Sequence, residues 1–341
     1  MSPFPLRLLA WVLATTAAVA SVASLATFSE NRQRLAEHAA ERARLVAVAV
    51  AHRAGTTLRG VERATGTLAS AVHHARPDGR ALLATVQAIL DAEPALDGAA
   101  VAYAPGAYAA GADLALAVAR EGGAWTHVDL LEHAPGFRES TWYRTPALSG
   151  APTWLEPVAD ERHAPPGVAS YAVPAFEARE GGRRLAAVAR ADLALAPLAE
   201  RLVAEAAALD PEAGLLVLSQ AGWVIAAGGL ATGPGEVPLT ERAAAMGDED
   251  LRELAARMMQ GEEGATVLVG VDGQSRRWVH FVPLPAPGWS VAVSVDETDL
   301  LGPLRRSERR TMLFQALTLG LIALLFVLHV RRGVGSPPRR P

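Results

Sequence analysis

The chain contains no cysteine and no lysine, and aromatic residues make up only 5% of its 341 residues. Without cysteine, disulfide bonds, thiolate nucleophiles and thiolate metal sites are excluded. Several common enzyme motifs are also missing, since the sequence has no G-x-S-x-G turn, no P-loop and no H-E-x-x-H pair. We therefore predict a protein that is not an enzyme and that carries no cofactor and no metal.

Two long stretches without formal charge lie near the chain ends, at Leu8–Phe28 and Thr311–Val330. At ~1.5 Å per residue, each stretch is long enough as a helix to cross the ~30 Å hydrocarbon core of a membrane. We predict transmembrane helices within 1–29 and at 311–330. A cleaved signal peptide is the alternative for the first stretch, because Ala18-Val19-Ala20 offers a small-x-small site, but the stretch exceeds the usual ~7–15 residue signal core.

Arginines near the two termini predict the topology. Arg7 precedes the first stretch, and a short basic tail at 331–341 follows the second. Positive residues in short flanking segments favour the cytoplasmic side, so both termini are predicted to be cytoplasmic. All 36 acidic residues lie between the two stretches. The large middle region is therefore predicted to be extracytoplasmic and acidic, which argues against nucleic acid as a partner.

Residues 30–75 read as one long helix, because proline is missing and apolar residues recur every three or four positions. Leu35, Leu45 and Ala49 lie on a narrow apolar stripe that suits a partner helix. We therefore predict a homodimer that pairs along this stalk. A second helix is predicted at Arg80–Ala92, where Pro94 ends it.

Beyond residue 95 the pattern changes to short apolar segments separated by glycine and proline, which is typical of strands. Helices are predicted at Leu198–Leu209 and at about Thr240–Gln260. The predicted strands are Ala99–Ala104, Trp125–Leu130, Thr153–Val158, Val168–Phe176, Arg184–Leu193, Gly214–Leu218, Trp223–Ala227, Ala265–Val271, Arg277–Val282 and Trp289–Val295. Because the pattern restarts after the first helix, we predict an α+β protein with two tandem modules, at 76–209 and 210–306.

The first module carries a run of motifs: Trp142-Tyr143, Gly150, Trp154-Leu155-Glu156-Pro157, Ser170-Tyr171-Ala172-Val173-Pro174, Gly181-Gly182 and Asp192-Leu193. This run resembles the membrane-distal half of a double Cache domain. Residues 216–229 and 283–300 resemble the opening hairpin and closing strands of the membrane-proximal module. The resemblance, strongest to sensors on bacterial serine phosphatases and histidine kinases, covers about residues 30–310.

This resemblance implies two PAS-like modules in a receptor of the bacterial inner membrane, whose distal module binds a small molecule outside the membrane. It implies a pocket under a lid at 142–158, with Trp142 and Tyr143 as walls and Tyr171 and Asp192 as anchors. Such a lid agrees with a turn-rich segment that holds scarce aromatics. The alternative is that these aromatics fill the core, as Trp154 is expected to do. For Asp192, as for Asp296, the alternative is a helix cap.

The chain departs from the amino-acid-binding members of the family at one point. Those members place an arginine two residues before the Trp-Tyr pair and a tyrosine further upstream, where this chain has Ser140 and Pro135. The usual carboxylate clamp is thus missing, and Arg138 or Arg144 could replace it, unless both serve only as solvated surface residues. Asp192 keeps the position that meets a ligand amine. The expected ligand is therefore a small polar metabolite, with an amine still open.

Two remaining features limit the functional prediction. His127, Asp129, Glu132 and His133 lie close in sequence. Strand alternation would place His127 and Asp129 on one face, but Glu132 and His133 lie beyond the end of the strand, so no metal site is predicted. Only eleven residues follow the second apolar stretch, whereas family members continue into a HAMP linker and an output module. We expect either a receptor subunit that signals through a separate kinase, phosphatase or regulator, or a ligand-free anchored interaction or scaffold module.

Overall fold

The computed structural model describes residues 4–75, 78–108, 113–157, 167–179, 182–229, 237–270 and 276–296, together with Leu317, Gly320, Leu324 and Val327. Residues 42–295 form one compact unit, and the other described residues belong to a second unit. The unit at 42–295 contains two antiparallel β-sheets of six and five strands. We call the six-stranded sheet with its helices the first module, and the five-stranded sheet with its helices the second module.

A single helix, α1, runs from Phe4 to Ala75 (72 residues). The helix predicted at 30–75 is therefore confirmed, although it continues without a break from the preceding segment. In the part of the chain that the structure describes, no helix is both long and apolar enough to cross a membrane. Most side chains of the first predicted span, and most residues of the second, lie outside the described residues.

Helix α2 (Gly79–Ala92) follows the sequence prediction closely. It begins at the N-cap residue Asp78, whose carboxylate accepts a hydrogen bond from the backbone N–H of Ala81 at 2.8 Å. This bond satisfies one of the free N–H groups of the first turn. Its apolar face, Leu82, Val86 and Leu90, is fully buried. Capping and a 3.6-residue period therefore agree on where this helix lies.

The first module has the strand order β3-β2-β1-β6-β5-β4. Its elements are β1 (Leu96–Tyr103), β2 (Ala115–Glu121), β3 (Ala124–Asp129), α3 (Leu130–His133), a short 3-10 helix (Phe137–Glu139), α4 (Thr141–Ser149), β4 (Thr153–Leu155), β5 (Val168–Arg179) and β6 (Gly182–Ala194). On one face, Tyr103 of β1 donates a hydrogen bond to the carbonyl of Val72 in α1. On the other face, Ala100 and Ala102 pack in one cluster with the aromatic residues that begin α4.

The second module has the strand order β8-β7-β11-β10-β9. Its elements are α5 (Leu195–Leu209), β7 (Gly214–Leu218), β8 (Val224–Gly228), α6 (Leu239–Met246), α7 (Glu249–Met259), β9 (Gly264–Val269), β10 (Arg276–Pro283) and β11 (Ser290–Asp296). The single helix predicted at 240–260 is wrong. Gly247 closes α6 in the left-handed conformation (φ 69°), and Asp248 caps α7 by accepting from the N–H of Leu251 at 2.9 Å. Two sheets in tandem, each with its own helices, are consistent with PAS-like modules.

Candidate ligand-binding site

Three polar side chains lie on one face of the first sheet because of the register between β5 and β6. Ser170 pairs with Asp192, and Ala172 pairs with Arg190. Since alternate residues of a strand point to the same face, Ser170, Arg190 and Asp192 share the face on which Ala172 packs against α4. The sheet therefore presents a small polar group to the helix that begins with Trp142.

Helix α4 places two aromatic side chains over this face. Trp142 and Tyr143 are 3% and 6% exposed. The ring of Phe137 stacks on Trp142 at 6.0 Å and meets Tyr143 edge-on at 5.7 Å. All three belong to the hydrophobic core of the first module. Trp142 is therefore a core residue, as the alternative interpretation predicted. It also borders a cavity.

A buried ion pair lies next to Trp142. The Arg190 guanidinium donates to Asp192 Oδ2 at 2.8 Å, and the Ser170 hydroxyl donates to Asp192 Oδ1 at 2.6 Å. The guanidinium also lies 4.9 Å from the centre of the Trp142 ring. Both charged side chains are only 6% exposed. Removing two charges from water is costly unless geometry and hydrogen bonds compensate, and here each oxygen of Asp192 has a donor.

A cavity of about 370 Å³ lies between α4, β4, β5 and β6. Its size is within the range of small-molecule sites. Among the described residues it is lined by Thr141, Trp142, Thr145, Thr153, Trp154, Leu155, Glu156, Val168, Ser170 and Arg190. The wall thus combines aromatic and apolar side chains with hydroxyl groups and two charged residues. Six residues of the segment predicted as a lid, 142–158, line this cavity. Val158 lies outside the described residues.

The four predicted pocket residues do not converge on one cavity, because Tyr171 lies on the wrong face of the sheet for that arrangement. It sits between Ser170 and Ala172 in β5 and therefore points to the α1 side. There its ring contacts Trp154 at 5.0 Å. Burial, followed by the nearby negative charge of Glu62, raises the pKa of Tyr171 above its ordinary value. The expectation that Tyr171 joins Asp192 at one cavity is wrong.

Tyr143 lies behind Trp142, next to Arg138. Burial raises the pKa of Tyr143 above its ordinary value, and the cation of Arg138 opposes this shift. Arg138 itself is held by Asp113, whose Oδ2 accepts from its guanidinium at 3.0 Å, and it lies over the Phe137 ring. Arg144 is exposed on α4. Tyr143, Arg138 and Arg144 are therefore absent from the described lining of the cavity.

The structure also corrects the alternative role of Asp192 as a helix cap. The N-cap residue of α5 is Ala194, which makes no side-chain cap bond. Asp192 lies two residues earlier, within β6, and its carboxylate points to Ser170 and Arg190. The helix that Asp296 was predicted to cap falls outside the described residues.

Of the two charged lining residues, Arg190 lies outside the predicted lid, and sequence analysis missed it. In the run Val188-Ala189-Arg190-Ala191-Asp192, the alternating residues of one face change from apolar to cationic to anionic. An arginine and an aspartate two positions apart on a buried strand face are within reach of each other. This alternation was the available signal, and it is more specific than either charge alone.

No family model matches the chain, and no curated protein matches it. Solved structures do match. The extracellular domain of the candidate histidine kinase mmHK1S-Z2 aligns with a TM-score of 0.59 at 18% identity, over 75% of this chain and 97% of that domain. That of the candidate histidine kinase soHK1S-Z6 aligns with a TM-score of 0.56 at 19% identity, over 81% of this chain and 99% of that domain.

The periplasmic sensory domain of the Campylobacter jejuni chemoreceptor Tlp1 aligns with a TM-score of 0.55 at 12% identity, over 78% of this chain and 96% of that domain. The predicted double Cache resemblance is therefore confirmed at the level of the fold: the chain has the tandem fold of the extracellular sensor domains of histidine kinases and chemoreceptors.

Proposed function

We propose that this protein is an extracytoplasmic sensor that binds a small polar molecule in the cavity of the first module. The observation that carries the proposal is the cavity itself, with the buried Trp142 ring and the Arg190 guanidinium in its wall. Ligand sites are concave, largely apolar and fitted with a few fixed polar groups, and this cavity has all three properties. The shared fold of sensor domains supports the same function.

We propose that the two apolar stretches, Leu8–Phe28 and Thr311–Val330, anchor the protein in a bacterial inner membrane with both termini in the cytoplasm. Their lengths and the flanking arginines support this topology. The extracellular or periplasmic location of the similar domains supports placing the modules outside. Reporter fusions at the C-terminus should behave as cytoplasmic, and an extracytoplasmic signal there would contradict the topology.

A ligand-free interaction module is the second candidate. It is favoured because polar side chains beside the cavity already hydrogen-bond one another. Both carboxylate oxygens of Asp192 accept hydrogen bonds from the protein. A binding screen separates the two candidates. The purified full chain is heated with a library of small polar metabolites, and a true ligand raises the melting temperature because it binds only the folded state.

A cavity-blocking variant shows whether such a ligand occupies this site. Thr145 is an exposed residue of α4 that lines the cavity, so Thr145→Trp should fill the space without disturbing the core. Leu148 is 76% exposed on the same helix and does not line the cavity. Leu148→Trp is therefore the matched control. We expect Thr145→Trp to abolish the ligand-induced rise and Leu148→Trp to retain it.

If no compound raises the melting temperature, the sensor proposal fails and the interaction module is favoured. If a compound does so equally in both variants, the protein binds it elsewhere.

A further inference from the structure

Arg190 is the only cation among the described lining residues of the cavity. Its guanidinium is fixed from two sides, by Asp192 at 2.8 Å and by the Trp142 ring at 4.9 Å. An arginine side chain carries five N–H donors in a rigid fork, so one guanidinium can bond a protein carboxylate and a second anion together. Fixing it in advance lowers the entropy lost when a ligand binds.

The carboxylates near the cavity are engaged differently. Asp192 accepts from both Ser170 and Arg190 and is not among the described lining residues. Glu156 does line the cavity; its Oε1 accepts from the N–H of Ala221 in the second module at 3.0 Å, and its Oε2 is buried without a hydrogen-bond partner among the described residues. Arg190 is therefore the charged group of the cavity wall that is held rigidly against an aromatic ring, and this group is a cation.

We infer that the ligand is a small organic carboxylate that binds Arg190, and that Asp192 positions Arg190 without contacting the ligand. The inference rests on the proposed sensor function. Arginine and carboxylate form charge-assisted, often bidentate hydrogen bonds, which are about twice as strong as neutral ones. Trp142, Leu155 and Val168 supply apolar contact for the organic part of the ligand, which makes an inorganic anion a poorer fit.

Asp192→Asn gives a test in which the ligand replaces a missing charge. This variant removes the charged carboxylate that accepts from the buried Arg190 at 2.8 Å, which is destabilising. A ligand carboxylate at Arg190 restores a counter-charge, so it should raise the melting temperature of Asp192→Asn by more than that of the wild type. The double variant Arg190→Gln/Asp192→Asn carries neither charge and should lose this response.

The probes are matched sets of short-chain carboxylates, their amides and their amines, for example 3-methylbutyrate, 3-methylbutanamide and 3-methylbutylamine. Melting temperatures and dissociation constants are measured on the full chain. We expect the wild type and Asp192→Asn to prefer the carboxylate over its amide by at least about ten-fold, as a charge-assisted bond predicts. The double variant should show no such preference.

Asp113→Asn is the control, because Asp113 holds Arg138 in an ion pair that does not line the cavity, although that pair is more exposed than Arg190 and Asp192. Carboxylates should stabilise this variant no more than they stabilise the wild type. An equal extra rise in Asp113→Asn would mean that any unpaired arginine attracts the probe, and would overturn the assignment.

Two other results overturn the carboxylate inference but leave the proposed sensor function intact. One is tight binding of the amine that Asp192→Asn abolishes, which would make Asp192 the ligand anchor. The other is binding of metabolites that Thr145→Trp blocks, without any preference for carboxylates. If neither the probes nor the metabolite library binds the wild type, the proposed sensor function fails as well.

Discussion

Asp192 shows how the role of one side chain depends on a neighbour two positions away. Its residue type and its place before a helix allow a ligand anchor or a helix cap. In the structure, the described contacts of Asp192 show neither role. Arg190 shares its strand face and donates a hydrogen bond to one of its carboxylate oxygens. The same alternation sends Tyr171 to the opposite face. Residue types alone could not decide these roles, since they depend on the face and the pairing of each strand.

Tyr143 gives a prediction at the residue scale. Burial raises its pKa above the ordinary value of 10.0. Between about pH 10 and that raised pKa, the unfolded chain loses this proton while the folded chain keeps it, so stability falls as pH rises, by at most about 1.4 kcal/mol per pH unit. Tyr143→Phe removes this titration.

Melting temperatures measured from about pH 8 to pH 11 should therefore fall less steeply for Tyr143→Phe than for the wild type. Tyr171, whose pKa is raised as well, still titrates in this variant, so some decline remains. Parallel curves for the two proteins would contradict the assignment.

At the scale of elements, local signals predicted α2, α5 and most strands, because capping residues and hydrophobic period pointed to the same segments. They missed β2, whose sequence ALAVARE is rich in alanine and holds a single β-branched residue. They also missed α4, since Pro146 lies inside it and Gly150 ends it in a left-handed conformation. In sequence, a short segment that contains proline is typical of a turn. The helix can therefore be predicted only when its packing on the sheet is known. The cavity lies under this helix, which explains why Arg190 was missed.

Leu45 gives a prediction at this scale, for the stripe on α1. Its side chain is 55% exposed and that of Val48 is 43% exposed, whereas Val46 and Val50 are buried. An exposed apolar stripe gains about 25 cal/mol per Å² when a partner helix covers it. We expect the full chain to be a dimer and Leu45→Glu to shift it towards monomer, as measured by sedimentation.

Leu148→Glu is the control for this experiment, because it changes an even more exposed leucine on α4. It should leave the dimer intact. A wild-type monomer at high concentration, or equal effects of the two variants, would exclude pairing through this stripe. The side chain of Leu35 lies outside the described residues.

At the scale of the unit at 42–295, the two modules are connected directly beside the cavity. Glu156, in the cavity wall, accepts from Ala221 of the second module. The ring centres of Trp154 and of Trp289 in the second module are 6.3 Å apart. The indole N–H of Trp154 donates to Glu62 of α1 at 2.9 Å. The cavity wall is thus continuous with contacts to α1 and to the second module, so a ligand bound as proposed would lie close to both.

Glu156→Ala should weaken this connection by about 1.5–3 kcal/mol, the range for a hydrogen bond to a charged group. Glu156→Gln keeps an acceptor oxygen for Ala221 and should cost less. Calorimetric unfolding of the full chain measures both effects. If the modules unfold together, Glu156→Ala lowers their common transition more than Glu156→Gln does. Identical transitions in the two variants would show that this bond does not couple the modules.

The contact between Trp154 and Trp289 has a spectroscopic consequence. Two indoles this close, in a chain with only seven tryptophans, exchange excitation energy, and their coupled absorption gives circular dichroism that depends steeply on separation and angle. One indole belongs to the strand that borders the cavity and the other to the second module. This circular dichroism would therefore change if the separation or the angle of the two indoles changed, without any attached dye, and Trp289→Phe would remove it.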